Sequence, residues 1–326
     1  MRSNSIQVIF IGLFVISNLL FAVMPVEANS NDEQGVNIVT SIKPLALLVK
    51  EIMDDDDFVQ EVLSKNQNHH LTSLKPSQRK MISQADVVFY IDESFETFLS
   101  KVKSSDAADS KYIALGDTPG LRLLSMRKSG QLPHVAHRNK SRKQASKHGH
   151  HGHSGVDWHI WLNPDNAMVM LMKIRDELTR IRPENEVVYQ RNYEIFSQHL
   201  IVHASEKAKR MMEVLHSPFF VLHDGLQYFE EQYALHSSGI ILRHDENSVS
   251  VRHLSELRKV RKDKGVNIVI KEEQYSDRAV KSLAGRQPFK VINVDSLAQG
   301  SLSHVEDYIE YTDELTNIIY QGLKSY

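Results

Sequence analysis

Four side chains that can bind a metal ion lie in or shortly after apolar runs of this 326-residue chain. They are His70, His159, His223 and Asp295. Three imidazoles and a carboxylate suit Zn²⁺, which takes nitrogen and oxygen ligands in a tetrahedral arrangement. Thiolate ligands and disulfides are excluded, because the sequence has no cysteine. The residue types therefore predict a zinc site whose ligands are far apart along the chain.

His159 lies between two tryptophans in the run 157–164, DWHIWLNP. We predict that a short strand holds this imidazole in a fixed direction and that a helix begins at once. Asn163 suits the N-cap of that helix, and Pro164 suits its first turn. Asp157 would share a face of the strand with His159 and can orient the imidazole through a hydrogen bond.

A histidine-dense stretch, HGHHGH, precedes this run at residues 148–153. It belongs to the long segment 116–155, which has few apolar residues, and such segments are usually functional or disordered. Because histidine-rich tracts bind metal ions, the loop 130–154 is predicted to be an accessory metal-attracting arm. The alternative is a protease-sensitive insert. The basic residues within 140–147 leave both interpretations open, because like charge repels Zn²⁺.

The other candidate ligands also have simpler interpretations. His70 lies in a polar loop and fits a solvated side chain, whereas His223 and Asp295 follow apolar runs and fit local hydrogen bonds to the backbone. A further pair, His199 and His203, has a one-turn spacing that can bind zinc. No glutamate follows His199 to complete an H-E-x-x-H motif, so a solvated helix face is favoured there.

Short β-type runs alternate with amphipathic helices in both halves of the chain. This pattern predicts an α/β fold with two lobes, each with a mostly parallel central sheet. Residues 184–216 keep helical periodicity without proline or glycine, which predicts one long rigid connecting helix. Ligands of parallel sheets bind at the carboxyl ends of strands, so we expect the metal in the cleft between the lobes. Glu272 and Glu273 follow a predicted strand and are candidates to orient a ligand or to replace one.

Residues 1–28 have the features of a secretory signal. Arg2 supplies the positive start, residues 6–24 the apolar core, and Val26-Glu27-Ala28 a cleavage site. The alternative is an uncleaved membrane anchor, because the apolar core approaches spanning length, but polar residues interrupt that core. The predicted organisation is a signal at 1–28, an N-terminal lobe at 29–183 that includes the loop 130–154, a connecting helix at 184–215 and a C-terminal lobe at 216–326.

The formal net charge of −2 gives no general argument for a nucleic-acid or membrane-surface partner. Basic residues are concentrated only between 122 and 147. We therefore expect no nucleic-acid partner. The predicted signal places the protein in an extracytoplasmic compartment, and we expect it to be a monomer.

Taken together, the motifs resemble the ZnuA-type periplasmic zinc-binding components of bacterial ABC importers, within cluster A-I of the metal solute-binding proteins. The likeness covers nearly the whole chain after the signal, and the motifs come in the order typical of the family. The matching segments are 39–45 (VTSIKPL), His70 with 73–77 (SLKPS), 157–164 (DWHIWLNP), 220–224 (FVLHD), 272–275 (EEQY) and 295–297 (DSL).

The resemblance implies that His70, His159 and His223 bind zinc and that Asp295 or a water completes the shell. Manganese-binding relatives tend to carry a carboxylate in place of His223, and an imidazole favours zinc over the harder manganese. His69 stands where zinc-binding members often have a glutamate, so the choice between His69 and His70 stays open. Many members have a disulfide in the second lobe, and none can form here.

The function implied by the resemblance is that of a periplasmic carrier. It would bind one Zn²⁺ between its lobes and deliver the ion to the membrane permease of a zinc ABC transporter, without enzymatic activity. One alternative is a zinc-dependent hydrolase, because three histidines and an open position can activate water. The other is a manganese or iron carrier of the same fold. The rigid helix predicts modest tilting of the lobes rather than wide hinge closure.

Overall fold

The fold is that of a computed structural model, which describes residues 35–64, 67, 73–104, 109–127, 155–242 and 249–325. The signal predicted at 1–28, the loop 130–154, and the side chains of His69 and His70 lie outside these ranges. What the sequence predicts for them therefore stays a prediction.

The N-terminal half contains a parallel sheet of four described strands. In chain order they are β1 (Asn37–Thr40), β2 (Phe58–Glu61), β3 (Val87–Tyr90) and β4 (Tyr112–Ala114). They lie side by side in the order β2-β1-β3-β4. All of β3 is buried, as expected for an apolar strand covered on both faces. The helices that follow β1, β2 and β3 are α1 (Lys43–Lys50), α2 (Pro76–Ser83) and α3 (Thr97–Lys103).

A short antiparallel hairpin follows the first sheet. Its strands are β5 (Leu124–Ser125) and β6 (Val156–Asp157). Just beyond their paired residues, the N–H of Met126 donates to the carbonyl of Gly155 at 2.8 Å. This bond extends the hairpin by one further backbone pair, and β6 leads directly into the motif around His159.

The predicted strand through His159 was wrong. β6 ends at Asp157, and a 3-10 turn spans Ile160–Leu162, so His159 lies in the connection between them. The physical reason is local, because the Asp157 carboxylate accepts the His159 backbone N–H at 3.0 Å and turns the chain. The helix start was predicted correctly. α4 spans Pro164–Ile181, and the side chain of Asn163 accepts a hydrogen bond from its first turn.

The long connecting helix is present. α5 (Glu186–Met211) is extended at its two ends by 3-10 turns at Pro183–Asn185 and Met212–Val214. These bounds agree closely with the predicted 184–215. Neither α5 nor any other helix within the described ranges combines the length and apolar character needed to cross a membrane.

The C-terminal half contains a second parallel sheet. In chain order its strands are β7 (Phe219–Val221), β8 (Ile268–Glu272) and β9 (Lys290–Val294), and they lie in that same order. The apolar run Ile240–Leu242 adds only a single bridge to this sheet, between Ile240 and Val221. The helices of this half are α6 (Gln227–Gln232), α7 (Val251–Lys264), α8 (Arg278–Ala284) and α9 (Tyr308–Lys324).

One large cluster of buried apolar side chains extends through both halves. It runs from Val36, before β1, to Leu323 in α9, and it includes the interior faces of both sheets. At the middle of this cluster, the indole N–H of Trp161 donates to the carbonyl of Ser296 at 3.0 Å. The two halves therefore share apolar packing as well as the connecting helix.

Candidate metal centre

Strand ends position the candidate ligands of the described chain. His159 comes shortly after β6, His223 shortly after β7, Glu272 ends β8 and Asp295 directly follows β9. Each of the four is at most 6% exposed. Because a polar side chain this deeply buried must be hydrogen-bonded or bind an ion, each of them needs a polar partner.

The structure brings two of the predicted ligands together. The rings of His159 and His223 lie 5.5 Å apart between centroids, at an interplanar angle of 67°. They come from opposite halves of the chain, since His159 precedes the connecting helix and His223 follows it. Two of the predicted ligands therefore lie together where the two halves join.

A buried carboxylate orients each of these imidazoles. Asp157 Oδ1 lies 2.7 Å from Nδ1 of His159, and Glu272 Oε1 lies 3.1 Å from Nδ1 of His223. An ionised carboxylate can only accept, so the Nδ1 atoms carry the protons and donate. The lone pair of each ring is then on Nε2, a nitrogen that can bind a metal ion.

The predicted role of Asp157 in orienting His159 agrees with this geometry, although the contact arises from a turn and not from a shared strand face. For Glu272, the sequence left open whether it orients a ligand or replaces one. Its hydrogen bond to His223 fits the orienting role.

Gly225 occupies the space between these groups. A Cβ atom at this position would lie 2.4 Å from Glu272 Oε1, 3.1 Å from His223 Nδ1 and 3.2 Å from His159 Nε2. Three polar atoms therefore converge on a point that only glycine leaves open. The sequence contained a signal for this, because Gly225 follows His223 and Asp224, but a single glycine at a strand end is too common to be singled out.

Aromatic rings enclose the two imidazoles. Phe95 and Trp161 contact His159 at centroid distances of 5.5 and 5.3 Å. Tyr275 stacks on His223 at 5.0 Å with an interplanar angle of 24°. These rings restrict water and fix the planes of the imidazoles, so the local dielectric constant is low and electrostatic attraction to a cation is strong.

The charge around His223 is predominantly negative. Burial works against the charged imidazolium, but the hydrogen bond and negative charge of Glu272 outweigh it and raise the pKa of His223. Burial also raises the pKa of Asp224, although the guanidinium of Arg127 opposes that shift. A divalent cation would relieve the repulsion among these carboxylates, provided that it displaces any proton from the ligand nitrogens.

Asp295 is placed at the expected strand end, where its oxygens bind backbone. Oδ1 accepts from the N–H of Gln299 at 3.1 Å, and Oδ2 accepts from the N–H groups of Gly300 and Leu302 at 2.6 and 3.0 Å. These contacts match the simpler interpretation of a strand-end carboxylate that satisfies local backbone groups. A carboxylate has further lone pairs, so this geometry leaves the choice of the fourth ligand open.

Within the ranges that the structure describes, the ligand atoms of His159, His223 and Asp295 do not all lie within 4.8 Å of one another. The group that meets that spacing there is His304, Glu310 and Glu314, on the surface. In the helical pair, His199 is exposed and His203 lies 3.5 Å from Asp313, in agreement with a solvated face.

The fold is that of a class of protein, the two-lobed α/β solute-binding proteins, and here two buried imidazoles meet where the halves join. Residues 38–322 match the family described as "ZnuA: Zinc-uptake complex component A periplasmic". The chain belongs to this family.

Two relatives illustrate the extent of the likeness. The "High-affinity zinc uptake system protein ZnuA" of Brucella abortus (strain 2308) is 29% identical over 274 residues, which cover 78% of this chain and 81% of the relative. The protein of the same description from Yersinia pestis is 25% identical over 304 residues, which cover 91% of this chain and 94% of the relative.

Solved structures show the same fold. A structure described as "Crystal structure of ZnuA" has a TM-score of 0.70 at 22% identity, covering 88% of this chain and 98% of the other. The periplasmic zinc-binding protein TroA from Treponema pallidum has a TM-score of 0.69 at 16% identity, covering 89% and 99%. At these identities the likeness establishes the two-lobed fold, in agreement with the prediction from the sequence.

Proposed function

We propose that this chain is a periplasmic carrier that binds Zn²⁺ between its lobes and delivers the ion to the membrane permease of a zinc ABC importer. The observation that carries the proposal is the pair of buried imidazoles, His159 and His223. They lie 5.5 Å apart, and a carboxylate holds each of them at Nδ1. The relatives from Brucella abortus and Yersinia pestis, both described as high-affinity zinc uptake proteins, support it.

The proposed shell has His70 as a third imidazole beside His159 and His223. Asp295, His69, Glu272 or a water is the fourth ligand. Two imidazoles held as nitrogen donors suit zinc better than manganese, which prefers carboxylate, carbonyl and water oxygens. The ion is the cargo of the protein.

The proposal extends to location and partners. Residues 1–28 are a cleaved signal that directs the protein to the periplasm, and the lobes span 29–183 and 216–326. The protein acts as a monomer without enzymatic activity, and its partners are zinc and the permease rather than nucleic acid.

Replacing His159 or His223 by alanine tests the proposal. Each change removes a ligand nitrogen from a buried site, so zinc affinity should fall by more than ~100-fold in a competition titration with a zinc-binding dye. His199→Ala removes an exposed imidazole from α5 and is the matched control, which should bind zinc as the unaltered protein does.

Unchanged affinity in both site variants would contradict the proposal. Titration with Mn²⁺ and Fe²⁺ in the same assay distinguishes a carrier of those ions, which would bind them more tightly than zinc. Turnover of ester or phosphate substrates by the zinc-loaded protein would instead indicate a hydrolase.

A further inference from the structure

Polar contacts fasten the β5–β6 hairpin, which leads into His159, to α6 in the opposite half. The hydroxyl of Tyr228 in α6 accepts from the N–H of Leu124 and donates to the carbonyl of Asp157, both at 2.9 Å. Gln227 Nε2 donates to the carbonyl of Ser125 at 3.2 Å. The hairpin therefore touches α6 along both of its strands.

Arg127, just after β5, makes the most extensive of these contacts. Its Nε donates to Asp224 at 2.8 Å, and its Nη1 and Nη2 donate to Glu230 at 2.9 and 2.8 Å. Nη2 also contacts Asp224, and Nη1 lies 3.2 Å from the hydroxyl of Ser237. The planar guanidinium thus spans two carboxylates at once, a geometry that lysine cannot reproduce.

This ion cluster is buried. The side chains of Arg127, Asp224 and Glu230 are 16%, 10% and 6% exposed. Burying charges is costly, and a buried ion pair often contributes little to stability compared with apolar side chains of the same volume. What the cluster does provide is a fixed geometry, because fork-shaped hydrogen bonds hold the three groups in one arrangement.

The position of the cluster relates it to both imidazoles. Asp224 directly follows His223 in the chain, and Glu230 lies in α6. Arg127 directly follows Met126, whose hydrogen bond to Gly155 lies just after β5 and just before β6. From there β6 continues to Asp157 and His159. A single guanidinium therefore connects the segment that carries one imidazole to the segment that carries the other.

We propose that Arg127 is a positioning residue for metal binding, which clamps the loop bearing His223 to the hairpin leading into His159, so that the two imidazoles face each other before the ion arrives. The inference rests on the proposed function, because it assigns a role within the same zinc site. Without the clamp, a smaller fraction of the protein has the imidazoles in place, and the apparent zinc affinity falls by that fraction.

Arg127→Met tests the proposal, because it removes the guanidinium and keeps an apolar stem. Arg122→Met is the matched control. Arg122 lies just before β5 and also forms an ion pair with α6, through Glu231, but its side chain is 60% exposed. We expect zinc affinity to fall about 10- to 100-fold in Arg127→Met, the range found when a group that orients a metal ligand is removed. In Arg122→Met it should change less than about threefold.

A second measurement separates positioning from general damage. Trp161 contacts His159, so tryptophan emission reports on the site. Saturating zinc should return the emission of Arg127→Met to that of the zinc-loaded unaltered protein, because the ion then assembles the site. Arg127→Lys, which keeps the charge but cannot span both carboxylates, should have an intermediate affinity. If Arg127→Met does not fold, Arg127→Lys decides the question.

Three outcomes would overturn the inference. They are unaltered zinc affinity in the Arg127 variants, equal losses in the Arg127 and Arg122 variants, and an emission spectrum that saturating zinc does not restore. Failure of the unaltered protein to bind zinc would remove the proposed function as well. The inference alone fails if the unaltered protein binds zinc and the Arg127 variants bind it equally well.

Discussion

The two histidines proposed to bind zinc are oriented by carboxylates, one of them local and the other from a different strand. Asp157 holds His159 from two residues away, whereas Glu272 reaches His223 from a different strand. Each hydrogen bond fixes both the direction of the ring and the nitrogen that carries the proton. We therefore expect the zinc affinity of the proposed site to depend on residues that do not themselves need to touch the ion.

Gly225 gives a direct test at the residue scale. Gly225→Ala would place a methyl group 2.4 Å from Glu272 Oε1, so the carboxylate or the neighbouring imidazoles must move. We expect zinc affinity to fall about 10- to 100-fold, as measured by dye competition.

The control for that change is Gly322→Ala. There a Cβ atom would lie 2.2 Å from Ile292 Cδ1, a comparable steric load in the core of the C-terminal half. This variant should lose thermal stability but keep its zinc affinity. Equal zinc affinity in Gly225→Ala and the unaltered protein would show that the space at Gly225 is not needed for the site.

Part of the site could be predicted at this scale and part could not. The positions of His223 and Asp295 follow from apolar runs that end in a polar side chain, because strand ends of a parallel sheet meet at one edge. His159 was singled out by its place between two tryptophans, although the strand predicted there was wrong. Arg127 had no such signal. It lies among other basic residues in the chain, and only the folded structure shows that it spans Asp224 and Glu230.

At the scale of elements, helix boundaries were the most predictable feature. Pro76 and Asn163-Pro164 begin α2 and α4, and Gly265 ends α7 with a φ of 67°, a conformation that glycine adopts without strain. The shortest strands were least predictable. The apolar run at Ile240 forms only a single bridge to Val221, and no local pattern in the sequence indicates this.

Contacts between elements make a pH-dependent prediction. Glu51, just after α1, accepts the backbone N–H of Tyr308 at the start of α9 at 2.9 Å. Burial, supported by the charge of Asp307, raises the pKa of Glu51 to about 7, from a usual value of 4.5. The folded protein therefore keeps this proton up to about pH 7, whereas the unfolded chain loses it near pH 4.5.

This difference in proton binding decides how the free energy of unfolding changes with pH. Between these two pH values the folded state holds one more proton than the unfolded state, so the free energy of unfolding falls as the pH rises. Glu51→Gln keeps the acceptor for Tyr308 and removes the titration. Above pH 7 the free energy of unfolding of Glu51→Gln should exceed that of the unaltered protein by about 1–2 kcal/mol. This difference is reduced for the partial exposure of the side chain.

Urea unfolding from pH 4.5 to pH 8 in the presence of a chelator measures this effect without interference from zinc. Glu306→Gln is the control, because Glu306 pairs with Lys50 at the same junction but is 84% exposed. It should follow the pH dependence of the unaltered protein. A Glu51→Gln variant with that same pH dependence would contradict the prediction.

At the scale of the whole molecule, the two halves are joined by more than the chain between them. α5 contacts both, because the Tyr189 hydroxyl donates to Asp57 at 2.9 Å beside the first sheet and Lys207 donates to Thr312 at 2.6 Å in α9. The large apolar cluster also runs through both sheets. Wide opening would expose this packed surface, so small tilts and loop rearrangements cost less free energy.

Small-angle scattering tests this expectation. Adding zinc to the chelator-treated protein should change the radius of gyration by no more than ~1 Å, because the shared core limits the movement of the halves. Addition of Mg²⁺, which prefers octahedral oxygen ligands, controls for a general effect of a divalent ion. A zinc-specific contraction of several ångströms would indicate a hinge instead.

The hydrogen bond between Met126 and Gly155 adds a further backbone pair to the short hairpin, two residues before Asp157. The backbone that enters the site is thereby held in register. Asp157 and His159 therefore start from a fixed position, although β6 itself is only two residues long.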